Sequence, residues 1–293
     1  MSDHGGPTED FHWESLVAEL SLAADITVRV DAEIAGWLAD RGDRVLVDLG
    51  CGAGGMAVAF GSAASAQARV RAVDGEPALL EATRRRAADA GLLGLETVQS
   101  DLASEIPIPP GTADVIWASG VVHHLPDEQA ILDELAACLA PGGRLALGEG
   151  GLSGRSLPWD LGVGEPGLEV RLEAAQARWF AQMRRDLPGS VLKPYGWPRA
   201  LRAAGLVDVT SRSFLLDLPA PLDPRAAEYV AGRLRGFLDH ESLAKLVSAE
   251  DRQILGRLID PDDVIYLGNN EDVFLLGVST VHVGRRPGTP PAP

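Results

Sequence analysis

Cysteine is scarce. Cys51 and Cys138 are the only two in 293 residues, too few and too far apart for a disulfide framework or a paired metal-ligand spacing. No metal is expected, and a reducing, cytoplasmic setting is. Long apolar runs are missing as well: no stretch of about 18 apolar residues occurs, and the opening MSDHGGPTED is acidic and polar with no apolar leader segment. Neither a membrane-spanning segment nor an export signal is expected. Positive charge is in deficit, with 26 Lys+Arg against 42 Asp+Glu and a formal net charge of −16. Such a chain repels phosphate backbones and anionic bilayers at long range, which removes nucleic acid and membrane from the expected partners. The one local basic run, Arg84, Arg85 and Arg86, sits mid-helix beside Glu81 and Asp89 and reads as a solvated helix face. There is no internal repeat.

What is present is ample core material, 46% hydrophobic residues, organised around residues 45–55, VLVDLGCGAGG. A short apolar run carrying one acid, Asp48, breaks at once into Gly50, Gly52, Gly54 and Gly55. It reads as a buried strand feeding a tight turn and a helix N-terminus, a cradle for a nucleotide-containing cofactor. Glycine at Gly50 and Gly52 lets a ligand approach the main chain without meeting a Cβ.

Around that turn the spacing predicts an alternation: strand 44–49, helix 57–66, strand 69–73 ending in Asp74, helix 77–90, strand 96–99 before Asp101, strand 113–118, helix 127–139 and strand 144–149. The PGG at 141–143 is read as the helix stop. This pattern defines an α/β fold with a doubly wound, Rossmann-like parallel sheet, whose ligands sit beyond the carboxyl ends of the strands. Residues 1–40 form an N-terminal helical segment of one or two helices, and 41–150 the cofactor-binding core. Residues 150–167 are Gly- and Pro-rich and read as a mobile connection. An inserted cap or lid helix over 168–187 within 151–196 follows, then 197–284, the rest of the sheet, with a helix at 197–204, strands at 207–218 and 272–283 and a two-helix insertion near 219–271. Ser248 with Asp251 resembles a helix-capping pair. The polar start 1–10 and the Pro-rich tail 285–293 read as disordered.

The glycines alone fit two templates, G-x-G-x-x-G and D-x-G-x-G-x-G. Asp48 discriminates between them. A carboxylate there is poorly placed beside a dinucleotide pyrophosphate but suits a cofactor carrying an ammonium and a sulfonium, which favours S-adenosylmethionine over NAD. Asp74, 20 residues after Gly54, is placed to accept both ribose hydroxyls, and Asp101 to accept an adenine amine, with a turn or helix-cap aspartate as the alternative for the latter.

In order and spacing, VLVDLGCGAGG, AVDGEP, SDL, ADVIWASGVVHHLPDE and LAPGGRLALGEGG resemble the class I S-adenosylmethionine-dependent methyltransferases, in particular a small-molecule branch with a VLHHLPD-like motif. The resemblance covers about residues 40–150, and WPRALRAAGLVD resembles the family's lead-in to its sixth strand. It implies a seven-stranded sheet of order 3-2-1-4-5-7-6 with strand 7 antiparallel. It also implies cofactor-binding roles for Asp48, Gly50, Cys51, Gly52, Asp74, Gly75, Asp101, Leu102, Ala118 and Ser119. The insertions after strand five and between strands six and seven depart from the family pattern and leave the acceptor open.

Methyl transfer from a sulfonium asks mainly for alignment, and positioning of that kind contributes roughly 7 to 11 kcal/mol. Where the acceptor must lose a proton, His124 and His123, just beyond the fourth strand, are the candidate bases, His124 being preferred; packing or helix capping by one of them is the alternative. Glu149 and Tyr195 are candidates to orient a substrate. The expected partner is a small, rather hydrophobic methyl acceptor, with a homodimer as the one protein assembly considered. Rival functions are a protein of the same fold that binds the cofactor but catalyses cyclisation or decarboxylation, an NAD oxidoreductase, and a silent binding subunit. A nucleic-acid methyltransferase is disfavoured, since ASGVV stands where an N/D-P-P-Y/F type motif would.

Overall fold

A strand apolar at every position but one must be covered on both faces, and the segment Val45–Leu49 (β1), apolar but for Asp48, is: it forms the buried middle of the sheet in the computed structural model, which describes residues 13–288. β1 pairs in parallel with Arg69–Asp74 (β2) and Ala113–Ser119 (β4). Glu96–Gln99 (β3) extends the sheet beyond β2, and Leu139–Arg155 (β5) lies parallel to β4. Val207–Leu218 (β6) pairs with Leu275–Arg285 (β7), which runs antiparallel to both β5 and β6. The order is β3-β2-β1-β4-β5-β7-β6, as the resemblance implies.

Alternation along β1 sends Leu46 to one face and Val47 and Leu49 to the other, so each face gathers its own core. One core takes Val30, Ile34 and Leu38 from Trp13–Leu38 (α1) and Met56 and Phe60 from Gly55–Ala63 (α2), with Leu80 of Pro77–Asp89 (α3). The other takes Leu132 and Leu135 from Glu128–Cys138 (α4) and Leu201 from Trp197–Ala203 (α6). Leu168–Asp186 (α5), Pro224–Asp239 (α7), Glu241–Ala244 (α8) and Ala249–Leu258 (α9) gather a third core around Leu172, Val230, Leu234 and Leu255. The two insertions therefore make one cap, joined by Arg171 of α5 donating to the Asp251 carboxylate of α9 at 2.8 Å. Ser248 does cap α9, through the Asp251 N–H at 3.0 Å, while the Asp251 side chain serves the cap joint instead of a capping box.

Several expectations need correction. The N-terminal segment is one continuous helix, α1, and the second insertion holds three helices, since His240 starts the extra turn α8. PGG does not end a helix. Leu139 already pairs with Ala113, and the 140–143 stretch bulges out before Arg144 rejoins opposite Val115. Gly143 is required there, because a Cβ would lie 2.7 Å from the Ala113 carbonyl oxygen. β5 likewise runs past Glu149 to Arg155, so the first part of the expected mobile connection is strand paired with β7. At the other end β7 includes Arg285, and the Arg286 N–H donates to Gly143 O at 2.8 Å. The expected disorder of 1–10 and of the last five residues lies outside the described residues. Arg86 is no solvated residue either: it donates to Ala53 O, Ser21 O and Asp25, tying α3 and the glycine turn to α1.

β5 crosses onto β7 through a register shift at Gly148/Gly151, where Gly151 adopts φ +120° and a Cβ would fall 2.0 Å from Val278 O. Gly151→Ala is expected to cost about 2 kcal/mol or more and to lower Tm by at least about 4 °C in a thermal melt. An unchanged Tm would mean that the bulge relaxes freely.

Candidate active site

The glycine turn is built by its own hydrogen bonds. Gly50 and Cys51 N–H both donate to Val73 O, at 2.8 and 2.9 Å, which draws the turn over the end of β2. Gly50 takes φ +67°, and a Cβ on it would sit 2.2 Å from Val121 Cγ2. Only glycine lets the loop after β4 close against this turn. Asp74, ending β2, accepts from Gly52 N–H through Oδ2 and from Glu76 N–H through Oδ1, both at 3.0 Å. Each oxygen keeps a lone pair for a further donor. Gly75 O accepts from the Gln99 side chain at 3.2 Å, which braces the β2 and β3 ends together. Cys51 is buried, its Sγ 3.7 Å from Thr83 Oγ1, and Thr83 in turn donates to Gly52 O. Burial pushes that thiol far up, so it is an inert wall of the turn.

Asp48 is 2% exposed and its Oδ2 has no hydrogen-bond partner. Burial, then the neighbouring Asp31 carboxylate, push its carboxyl up to about 8, partly offset by a hydrogen bond from the Ala57 backbone. Asp31, on α1, is itself pushed up to about 6 by burial, with Thr27 Oγ1 donating to its Oδ2 at 2.9 Å. Three carboxylates, Asp31, Asp48 and Asp74, thus gather at the glycine turn. Asp31 was not visible in the sequence: it sits in an amphipathic helix with no motif around it. Its one trace was its place on the helix preceding the first strand.

Asp101 is exposed, and its carboxylate closes its own turn by accepting from Ala103 N–H at 3.0 Å and Ser104 Oγ at 2.8 Å, the turn role foreseen as its alternative. Leu102 packs half-buried against the core. Ala118 is buried in β4, and Ser119 Oγ donates to Gly148 O at 3.0 Å, fixing the β4 end to β5.

Just beyond β4 the chain makes a short 3₁₀ turn, Val122–His124. The Glu149 carboxylate, 4% exposed at the bend of β5, accepts from Val121 and Val122 N–H at 3.2 and 3.1 Å through Oε1. Its Oε2 lies 2.7 Å from His123 Nδ1. The His124 ring lies tilted at 45° against that of His123 with centroids 4.2 Å apart, and burial, then the neighbouring His123, hold it below the ordinary histidine value. The cap reaches this loop: Arg184 of α5 donates to His123 O and Leu125 O, both at 2.8 Å, and Phe180 meets the His123 ring edge-on at 5.3 Å. Buried Glu128 sits within ion-pair range of Arg184 and Lys193, and the Lys193 ammonium lies 3.7 Å from the Trp197 ring centroid. Tyr195 donates to Gln129 Oε1 at 3.1 Å and packs against the α4 side of the core. A small, partly open pocket of about 30 Å³ lies between the end of β5, α5 and α7, and no residue of the glycine turn or the histidine loop lines it. Among the described residues no helix is long and apolar enough to cross a membrane, and no group of metal-ligating side chains occurs.

Comparison with known proteins agrees with this geometry. Residues 47–147 match the family described as methyltransferase domain. A 27-O-demethylrifamycin SV methyltransferase of Amycolatopsis mediterranei is 33% identical over 138 residues, 47% of this chain and 49% of that protein, so the chain spans about half of that relative. A trans-aconitate 2-methyltransferase of Methylobacterium radiotolerans is 30% identical over 229 residues, 73% of this chain and 83% of that protein. The crystal structure of YcgJ from Bacillus subtilis superposes with a TM-score of 0.52 at 18% identity, covering 89% of this chain and all of that one, which shows the fold. The chain belongs to the class I S-adenosylmethionine-dependent methyltransferases. S-adenosylmethionine is the cofactor of that family.

The carboxyl cluster carries a consequence for stability. Carboxyls that ionise near pH 4 in the unfolded chain do so near 6 and 8 at Asp31 and Asp48 when folded. Between those limits the folded chain binds more protons, so its stability falls as pH rises through the window. The urea midpoint of the ligand-free protein should therefore drop from about pH 5 to about pH 8, and less steeply in Asp48→Asn. Equal slopes would show that these carboxyls are not held protonated.

Proposed function

We propose that the chain transfers a methyl group from S-adenosylmethionine to a small, rather hydrophobic acceptor by in-line displacement, with His123 taking the acceptor's proton. The observation that carries the base assignment is the His123–Glu149 pair at 2.7 Å, held against the cofactor turn by the Gly50–Val121 contact.

The turn fits its cofactor on two features of the chain itself: a buried carboxylate oxygen without a partner at Asp48, and a backbone at Gly50 and Gly52 in the left-handed region, open to close approach. When bound, the cofactor supplies a methyl group already activated on a sulfonium. Asp48 contributes negative charge beneath the methionine part of the site, and Asp74 offers its remaining lone pairs to ribose hydroxyls. Gly75, Asp101 and Leu102 flank the adenine side, and Ala118 and Ser119 the wall towards the acceptor.

Glu149 is held by two backbone N–H groups and accepts from His123 Nδ1–H, which leaves Nε2 to accept a proton. Orientation of an imidazole by a fixed carboxylate is the arrangement that makes a loop histidine an effective base. His124 has no such orienting carboxylate and ranks second. Arg184 fixes the same loop from the cap, so the position of the cap helix and the alignment of the base are linked.

The acceptor is argued from this chain, because its relatives are named for acceptors as unlike as 27-O-demethylrifamycin SV and trans-aconitate. Three residues beyond Glu149, Leu152 of β5 stands in register with Val278 of β7 and Leu215 of β6, so the three share one face, with Leu152 71% and Leu215 49% exposed. An open apolar strip a few residues beyond the carboxylate that holds His123 suits a hydrophobic acceptor. Free, buried Cys51 and Cys138 suit a reducing cytoplasm.

The test is formation of S-adenosylhomocysteine in step with a methylated product. His123→Ala should lower turnover by about 10²- to 10⁴-fold and leave cofactor affinity unchanged. His124→Ala should cost less than about tenfold. Equal losses in the two variants, or a larger one in His124→Ala, would overturn the assignment of the base. Turnover without S-adenosylhomocysteine would overturn methyl transfer.

A further inference from the structure

We propose that Arg184 of α5 is a positioning residue for His123: it grips the carbonyl side of the histidine loop while Glu149 grips the N–H side, and the two together fix the imidazole with Nε2 open. Its importance to the reaction rests on His123 being the base, whereas its test reads the imidazole itself and needs no turnover.

The loop satisfies little of itself. Its 3₁₀ turn uses the carbonyls of Val121 and Val122, which accept from His124 and Leu125 N–H at 3.0 Å each. On the sheet side, Glu149 accepts from Val121 and Val122 N–H and from His123 Nδ1–H. Neither set of bonds takes the carbonyls of His123 and Leu125. Arg184 does, its Nη1 donating to both at 2.8 Å, with Nη2 3.4 Å from Pro126 O. A carboxylate on the N–H groups and a guanidinium on the carbonyls thus hold one short turn from opposite sides. One helical turn before Arg184, Phe180 meets the His123 ring edge-on at 5.3 Å, so α5 touches both the backbone and the ring of this residue.

The arginine is itself held. Its side chain is 12% exposed, and Nη2 lies 3.7 Å from Oε1 of Glu128, the first residue of α4. Lys193 reaches the other oxygen of Glu128 at 3.4 Å, donates to Tyr195 O and lies over the Trp197 ring. A tie between cap and core, as the whole role of Arg184, leaves its two carbonyl bonds over. Lys193 already supplies such a tie at Glu128, and Val191 N–H supplies another by donating to Pro126 O at 3.0 Å. What Arg184 adds falls on the carbonyl of His123 itself and on that of Leu125, two residues further. Its reach matters as well as its charge. A lysine side chain ends one bond short of the guanidinium nitrogens and lacks their planar fork.

The experiment is nuclear magnetic resonance of the ligand-free full chain with its histidine ring nitrogens isotopically labelled, His123 being assigned by the loss of its signals in His123→Ala. Wild type is expected to hold His123 chiefly as the Nδ1–H tautomer. Arg184→Met keeps the aliphatic stem and removes the donors. It should shift the tautomer ratio about tenfold towards Nε2–H, the effect of losing a hydrogen bond to a charged group. Lys193→Met removes the other cation at Glu128 but no contact to the carbonyls of His123 and Leu125, so it should lower Tm and leave the ratio as in wild type. Should Arg184→Met fail to fold, Arg184→Lys takes its place: it keeps the charge opposite Glu128 but falls short of the carbonyls, and should shift the ratio in the same direction. An unchanged ratio in the folded Arg184 variant overturns the proposal. So does an equal shift in Lys193→Met, which would mark a general loosening of the cap, and so does a wild-type His123 without the Nδ1–H tautomer. Full turnover in His123→Ala, with the ratios as expected, would overturn the base assignment and leave the positioning of His123 by Arg184 standing.

Discussion

The structure depends on a carboxyl group held out of water at the glycine turn. Asp48 must enter a central buried strand to stand beneath the turn, and the fold accepts an unpartnered oxygen there. Such an oxygen is costly in a ligand-free protein and is retained where a ligand completes it. The other features of the site follow. β2 must end at Asp74 to anchor Gly52, and Gly50 must lack a Cβ so that the loop after β4 approaches. α1 must lie across the turn, where Arg86 holds it.

The second half of the site is set by a carboxylate of the opposite behaviour. Glu149 is as buried as Asp48 but fully engaged, by two backbone N–H groups and His123. One acid is left open and charge-poor in partners, which suits binding a cation. The other is fixed, which suits orienting a base. The cap adds a mechanical element: two insertions far apart in sequence share one core and reach the histidine loop through Arg184.

The parallel sheet and the acids Asp48 and Asp74 at its strand ends were legible in the sequence because they depend on local signals, apolar runs, glycine spacing and acids at strand ends, whereas the strand order came only with the family resemblance. Features made by contact between distant segments were not legible. The Glu149–His123 pair spans 26 residues and Arg86–Asp25 spans 61, with no pattern linking their partners. Asp31 looked like any polar position of an amphipathic helix. The length of β5 was misread because Pro-Gly-Gly is a strong stop signal, whereas here Gly142 and Gly143 shape a bulge inside a strand. Of the two histidines, sequence offered no ground for preferring His123, since the carboxylate it pairs with lies on the next strand.

The most direct test of the account is proton release when the wild-type chain binds S-adenosylmethionine, measured by calorimetry near pH 7 in two buffers of different ionisation enthalpy and compared with S-adenosylhomocysteine. The α-amino and carboxylate groups common to both ligands cancel in the comparison. A cation meeting carboxyls held near 6 and 8 drives protons off them, so the account expects more protons released by the donor than by the product. Equal release by the two ligands would contradict it.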